Sequence, residues 1–166
     1  SRGGMGKDEL RAATRILRSG RLAYGPENRA FESEFAGIYG AAGAAASSSG
    51  TAAVHVALSM VGVGPGDEVI VPTFTIIACV TSVLRAGATP VLVDCDPQTF
   101  NATPDQIEAA VTDKTKAIML VHLYGLPVDA DPILELARER GIQVIEDAAE
   151  AIGPSSVFYT CSTLMS

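Results

Sequence analysis

Short apolar runs recur along this chain, each followed by a stretch of helical periodicity, and that alternation leaves few folds open. The runs are Glu68 to Val71, Pro90 to Asp94, Lys116 to Val121 and the segment from Ile142 into Asp147; helical stretches at about Thr75 to Ala86, Pro104 to Val111 and Asp131 to Arg140 separate them. Continuous apolar runs read as interior strands of a parallel sheet covered on both faces. Strands alternating with helices form βα units whose crossovers pack on the sheet. The expected class is therefore α/β, a three-layer αβα sandwich around a mostly parallel sheet. The Ala-rich stretch before Ser47 stands where a further strand is expected, and it makes a poor one, because alanine has low strand propensity and buries little area. Two helices come first. Asp8 to Ser19 has acids in its first turn and Gly20 as its stop, and Glu27 to Tyr39 carries Phe31, Phe35 and Ile38 on one face.

The last strand ends on Asp147, at the sheet edge where open α/β folds bind ligands. An unpaired buried carboxylate costs several kcal/mol or takes up a proton, so a cationic partner is expected, and no neighbouring residue is an obvious one. The alternative is an Asp that caps the following turn. A second segment, Ser47-Ser48-Ser49-Gly50-Thr51-Ala52, opens a helix with Val54, Leu58 and Val61 on its apolar face. Gly50 permits close backbone approach, the first-turn amides are free, and the Thr51 hydroxyl adds a donor, which together suit a phosphate. The same string also serves as a plain N-cap. Gly62-Val63-Gly64-Pro65-Gly66 superficially suggests a dinucleotide-binding module, but it precedes a strand instead of joining a strand to a helix.

Taken together, the strings SGRLAYGPENRAFESEFA, SSSGTAAVHVAL, GVGPGDEVIVPTFT, GATPVLVDCDPQTFN, KTKAIMLVHLYG and VIEDAAEAIG, in this order over about residues 19 to 153, resemble the DegT/StrS family of pyridoxal-phosphate-dependent sugar aminotransferases. The resemblance implies the large domain of the aspartate-aminotransferase fold (PLP fold type I), incomplete here. It implies pyridoxal 5'-phosphate as cofactor, with Gly50, Thr51 and Ala52 at its phosphate, Ile76 covering its ring, Asp147 paired with its protonated pyridine nitrogen, and Glu150 near the ring hydroxyl. At ~4 Å and an effective dielectric of ~20, such an ion pair has about 4 kcal/mol of attraction before desolvation. The family usually has an aromatic residue where this chain has Ile76, with Phe74 nearby as a substitute, and a glutamine where it has Glu150; glutamate there is similar to the perosamine-synthase branch. His122, after the strand ending at Val121, is either a cofactor or substrate contact or a satisfied loop histidine.

The implied reaction moves an amino group from an amino-acid donor, glutamate by expectation, to a keto-sugar nucleotide in polysaccharide biosynthesis, in a homodimer. The Schiff-base lysine of the family has no counterpart among Lys7, Lys114 and Lys116. A non-catalytic remnant of the fold and a same-family sugar dehydratase are the alternatives. The expected organisation is a helical segment over residues 1–40, a partial cofactor-binding domain over 41–153, and a tail over 154–166 that matches nothing in the family. That tail, and a first residue other than methionine, lead us to expect a truncated and inactive product.

Composition narrows the partners. With 166 residues and 48% hydrophobic content the chain suits one domain with a real core. A net charge of −7 argues against nucleic acid or a membrane surface, and Pro72, Thr73 and Thr75 interrupt the longest apolar region. Cys79, Cys95 and Cys161 have neither metal-ligand nor disulfide spacing, consistent with a reducing cytoplasmic location. Asp94 and Asp96 belong to a strand end and turn, so no metal is expected. Asn101-Ala102-Thr103 matches a glycosylation acceptor in a chain with no secretory signal.

Overall fold

The structure is a computed structural model and describes residues 6–151. Residues 154–166, including Cys161, lie outside the described residues, as does Gly153. The chain divides into two compact units, residues 1–46 and 47–166.

In the first unit, α1 (Lys7–Ser19) and α2 (Pro26–Tyr39) both end on a glycine in the left-handed conformation, Gly20, the stop the sequence leads one to expect, and Gly40. Arg15 pairs with Glu27 at 3.1 Å, and Glu32 accepts hydrogen bonds from the Tyr24 hydroxyl at 2.6 Å and the Ala46 amide at 2.8 Å. No strand forms over residues 41–46, contrary to expectation. Alanine offers a sheet little area to bury, and the Ala46 amide is directed to the Glu32 side chain instead of to a ladder.

Among its described residues the second unit is built on four strands, β1 (Glu68–Pro72), β2 (Thr89–Val93), β3 (Thr115–Val121) and β4 (Gln143–Asp147), all parallel, in the order β2-β1-β3-β4. Among the described residues four α-helices accompany them, α3 (Gly50–Met60), α4 (Ile77–Arg85), α5 (Pro104–Ala110) and α6 (Asp131–Arg140), with a short 3-10 turn at Leu123–Gly125. Strand alternation sorts the side chains into two cores. Val69, Val71, Ala117, Met119, Val121 and Ile145 pack with Val54 and Leu58 of α3 and Cys79 and Val83 of α4. Ile70, Val93, Ile118 and Leu120 pack on the other face with Ile107 of α5 and Ile133 and Ala137 of α6. This is the three-layer α/β arrangement the alternation of elements implies.

Local chemistry explains the boundaries. Thr103 and Gln106 form a reciprocal capping box before α5, with Pro104 at its first position. Gly141, at φ 68°, ends α6. The chain leaves β1 through α4 on one face and leaves β3 through α6 on the other, so a crevice opens between the carboxyl ends of β1 and β3, where folds of this kind bind ligands.

Candidate active site

Three elements meet at one end of the sheet on the α3/α4 face. The first is the start of α3. Ser49 caps it, its hydroxyl oxygen accepting from the Ala52 amide at 3.2 Å, and the Ala53 amide bonds the Ser49 carbonyl. The Gly50 and Thr51 amides have no acceptor among the described residues. A Cβ at Gly50 would meet nothing within 4 Å, so packing does not demand glycine there and the backbone is open to approach. Both unbonded amides belong to the positive end of an eleven-residue helix.

The second element is the start of α4. Ile76 is its N-cap residue, with extended backbone and a side chain 65% exposed. Thr75 and Cys79 follow the same turn, their Oγ1 and Sγ atoms 3.4 Å apart. The Ser82 hydroxyl, completely buried, donates to the Thr51 carbonyl at 3.4 Å and ties α4 to α3.

The third is Asp147. It ends β4 on the α3/α4 side, half-buried; its Oδ1 accepts from the Ala149 amide at 3.2 Å and its Oδ2 from the Cys79 thiol at 3.5 Å. No cationic side chain lies within 4 Å of it among the described residues. Burial, with the adjacent Asp147 carboxylate adding to it, pushes the Cys79 thiol up to about 11, against a lowering contribution from Thr75. The thiol therefore stays a proton donor at neutral pH.

His122 and Glu150 each have partners of their own among the described residues. His122 continues the ladder, its amide donating to the Asp147 carbonyl at 3.1 Å, but its ring lies on the α5/α6 side with Glu146. Nδ1 accepts from the Val128 amide at 3.0 Å, so the ring proton sits on Nε2 and points to Glu146 Oε2, also 3.0 Å away. Both ring nitrogens are thus engaged on the face away from Asp147. Glu150 Oε2 accepts from the Tyr124 amide at 2.7 Å and holds the turn Leu123–Gly125, in which Tyr124 adopts φ 51°. Phe74 lies against Phe100 and Tyr124, with ring centroids 5.3 Å and 6.4 Å apart, so its ring is partly engaged by other aromatics.

Other residues singled out in the sequence have local roles. Asp96 accepts from the Thr99 and Gln98 amides, and these bonds, Thr99 first, hold its carboxyl below the usual range. Asp94 accepts from the Cys95 amide. Asn101 is buried, its amide nitrogen donating to the Leu126 carbonyl at 3.0 Å, which leaves a sugar transferase no access to it in the folded chain. Lys114 and Lys116 are exposed at the amino end of β3, opposite the end that carries Asp147. No described helix is long and apolar enough to cross a membrane. Sequence reasoning reads Cys79 as a small packing residue, which its burial bears out, but misses its contact with Asp147 and misses Glu146; the advance signal is position, Cys79 in the first turn of a helix at the sheet edge and Glu146 next to Asp147.

Known proteins are similar to this chain in sequence and fold. A family model described as the DegT/DnrJ/EryC1/StrS aminotransferase family matches residues 4–157. GDP-perosamine synthase of Caulobacter vibrioides is 58% identical over 123 residues, which cover 74% of this chain and 33% of that protein. The chain thus spans a third of the length of that curated relative. Among solved structures, an aminotransferase from Psychrobacter cryohalolentis is 46% identical with a TM-score of 0.87, covering 91% of this chain and 39% of that one. NtdA from Bacillus subtilis, with bound cofactor PMP, is 39% identical with a TM-score of 0.85, over 90% of this chain and 35% of that one. The family model over residues 4–157 and the 58% identical relative show it: the chain belongs to the DegT/DnrJ/EryC1/StrS aminotransferase family.

Proposed function

We propose that this chain supplies the phosphate-binding and ring-binding side of a pyridoxal 5'-phosphate site in an aminotransferase that acts on a keto-sugar nucleotide with an amino-acid donor, glutamate by preference. The observation that carries the reading is Asp147, a half-buried carboxylate with two neutral donors and, among the described residues, no cationic side chain within 4 Å, on the same face as the free amides of α3. Desolvating a carboxylate without a cation is unfavourable, and a protonated pyridine nitrogen supplies the missing charge. The residues fit the cofactor: the free amides of Gly50 and Thr51 would hold its phosphate, with Ala52, whose amide bonds the Ser49 cap, beside them in the same turn; Ile76 would cover its ring, and Asp147 would meet its nitrogen. Bound there, the cofactor supplies an electron sink for amino transfer. Asp147 keeps the nitrogen protonated, the α3 amides fix the phosphate without needing a basic side chain, and the apolar Ile76 side chain shields the ring from water.

The similarity to a GDP-perosamine synthase supports a nucleotide-sugar substrate, and a place in polysaccharide biosynthesis is part of the proposal. A homodimer in the cytoplasm, with residues 41–153 as part of the cofactor-binding domain and 1–40 as a helical segment before it, belongs to the same reading. Among the described residues of the second unit, the two lysines sit at the far end of β3, away from Asp147, and the chain is expected to bind the cofactor without turning over. Equilibrium dialysis with pyridoxamine 5'-phosphate, which forms no imine with stray lysines, tests the binding. Removing the carboxylate with Asp147→Ala should weaken it about 10- to 100-fold, the value of a charge-assisted hydrogen bond. Equal affinity for wild type and variant, or for pyridoxamine lacking the phosphate, would overturn the reading.

A further inference from the structure

We infer that Cys79 is a positioning residue for Asp147, its thiol holding the carboxylate in the orientation that leaves one face of Oδ2 open to a cationic ligand. The inference rests on the reading of Asp147 given above and goes beyond it to a residue that never touches the ligand.

The geometry is a short chain of donors across three elements. Thr75, in the turn after β1, brings its hydroxyl to 3.4 Å from the Cys79 sulfur, and that sulfur lies 3.5 Å from Asp147 Oδ2 at the end of β4. A carboxylate only accepts, so the thiol proton points to Asp147 and the Thr75 hydroxyl donates to the sulfur. The direction of the chain is thereby fixed. On the other side, the Ala149 amide holds Oδ1. Each oxygen has one donor, each keeps acceptor capacity, and rotation of the carboxylate about its Cβ–Cγ bond would break both contacts.

Cys79 is fully buried in the first turn of α4, among Val54, Val71 and Val83 of the same core, so neither water nor a bulky ligand can replace it as the donor. Its elevated pKa keeps the proton in place over the neutral range. An alanine at 79 would keep the apolar packing and lose the donor. A serine would keep a donor of similar size, with a hydroxyl that hydrogen-bonds more strongly than a thiol.

Infrared spectroscopy of the S–H stretch in the 166-residue chain reads the contact without any cofactor. The Cys79 band, assigned as the one lost in Cys79→Ser, should lie at lower frequency than that of a free thiol and should rise in Asp147→Ala; a band that Asp147→Ala leaves unmoved overturns the inference. Dialysis with pyridoxamine 5'-phosphate reads the consequence. Cys79→Ala should weaken binding about three- to tenfold and Cys79→Ser should restore it, a rescue that loss of packing alone would not produce. Affinity lowered by Asp147→Ala but not by Cys79→Ala removes the inference and leaves the cofactor reading standing. Binding too weak to detect, or equal in all four chains, removes both.

Discussion

At the end of β4 two adjacent carboxylates face opposite sides of the sheet. Glu146 points to the α5/α6 side, where its side chain is 3% exposed and lies 3.0 Å from His122 Nε2. Asp147 points to the α3/α4 side, where a thiol and a backbone amide are its donors. Glu146 and His122 are closed off by the loop that follows β3, since the Val128 amide occupies the second ring nitrogen. Asp147 lies against the first turn of α4, half-buried at the carboxyl end of the sheet. The same chemical group thus serves the fold on one side and is left available to a ligand on the other, and what distinguishes the two is the side chain opposite.

Substitution at each side should expose that difference most strongly. His122→Ala leaves Glu146 buried without a partner, and one Glu146 oxygen already has none. The expected loss is about 3 kcal/mol or more in urea denaturation, whereas Asp147→Ala should stay within about 1 kcal/mol of wild type. Losses of equal size would erase the contrast between a structural and a functional carboxylate.

A smaller effect comes from pH. The Cys79 thiol is pushed from 9.0 up to about 11 in the folded chain, chiefly by burial and further by Asp147. The folded state therefore holds this proton more tightly than the unfolded state. Its stabilisation is full below about pH 9 and is lost as pH rises through about 11, a change of about 2 kcal/mol over the window. Tyrosines and lysines titrate in the same range, so the quantity to compare is the difference between wild type and Cys79→Ser, whose hydroxyl does not ionise there. Parallel stability curves from pH 8.5 to 11 would show that Asp147 and the core leave the thiol unperturbed.

Much of this was legible in the sequence because it rests on local pattern. Apolar runs and stops such as Gly20 and Gly141 carry their own periodicity and backbone chemistry, so β1 to β4 and the helices fall close to their expected places. The stretch over residues 41–46 had no such signal, and alanine formed no strand there. Asp147 could be singled out because strand ends at a sheet edge are identifiable from sequence. The face a residue takes beyond the end of a strand depends on register across the sheet. That is why His122, two residues from the turn at Tyr124, was open to two readings until the β3–β4 ladder fixed its ring beside Glu146. Cys79 was invisible for a related reason: it is 68 residues from the carboxylate it touches.

The finest test of the contrast is at Ile76, on the Asp147 side. Its backbone, φ −66° and ψ 139°, accepts any L residue, and its side chain is mostly exposed, so Ile76→Phe should leave the melting temperature unchanged. A phenyl ring adds a π face for the cofactor ring, worth about 0.5 to 1.5 kcal/mol for a well-placed aromatic pair, or about two- to tenfold in pyridoxamine 5'-phosphate affinity. Stacking rewards a ring already held in one plane. If Asp147 sets that plane through the pyridine nitrogen, the gain from Ile76→Phe should shrink when Asp147→Ala is present in the same chain, while His122→Ala, acting on the other face, should leave it intact. A gain that survives loss of Asp147 would uncouple the two residues and leave the ring oriented by its phosphate alone.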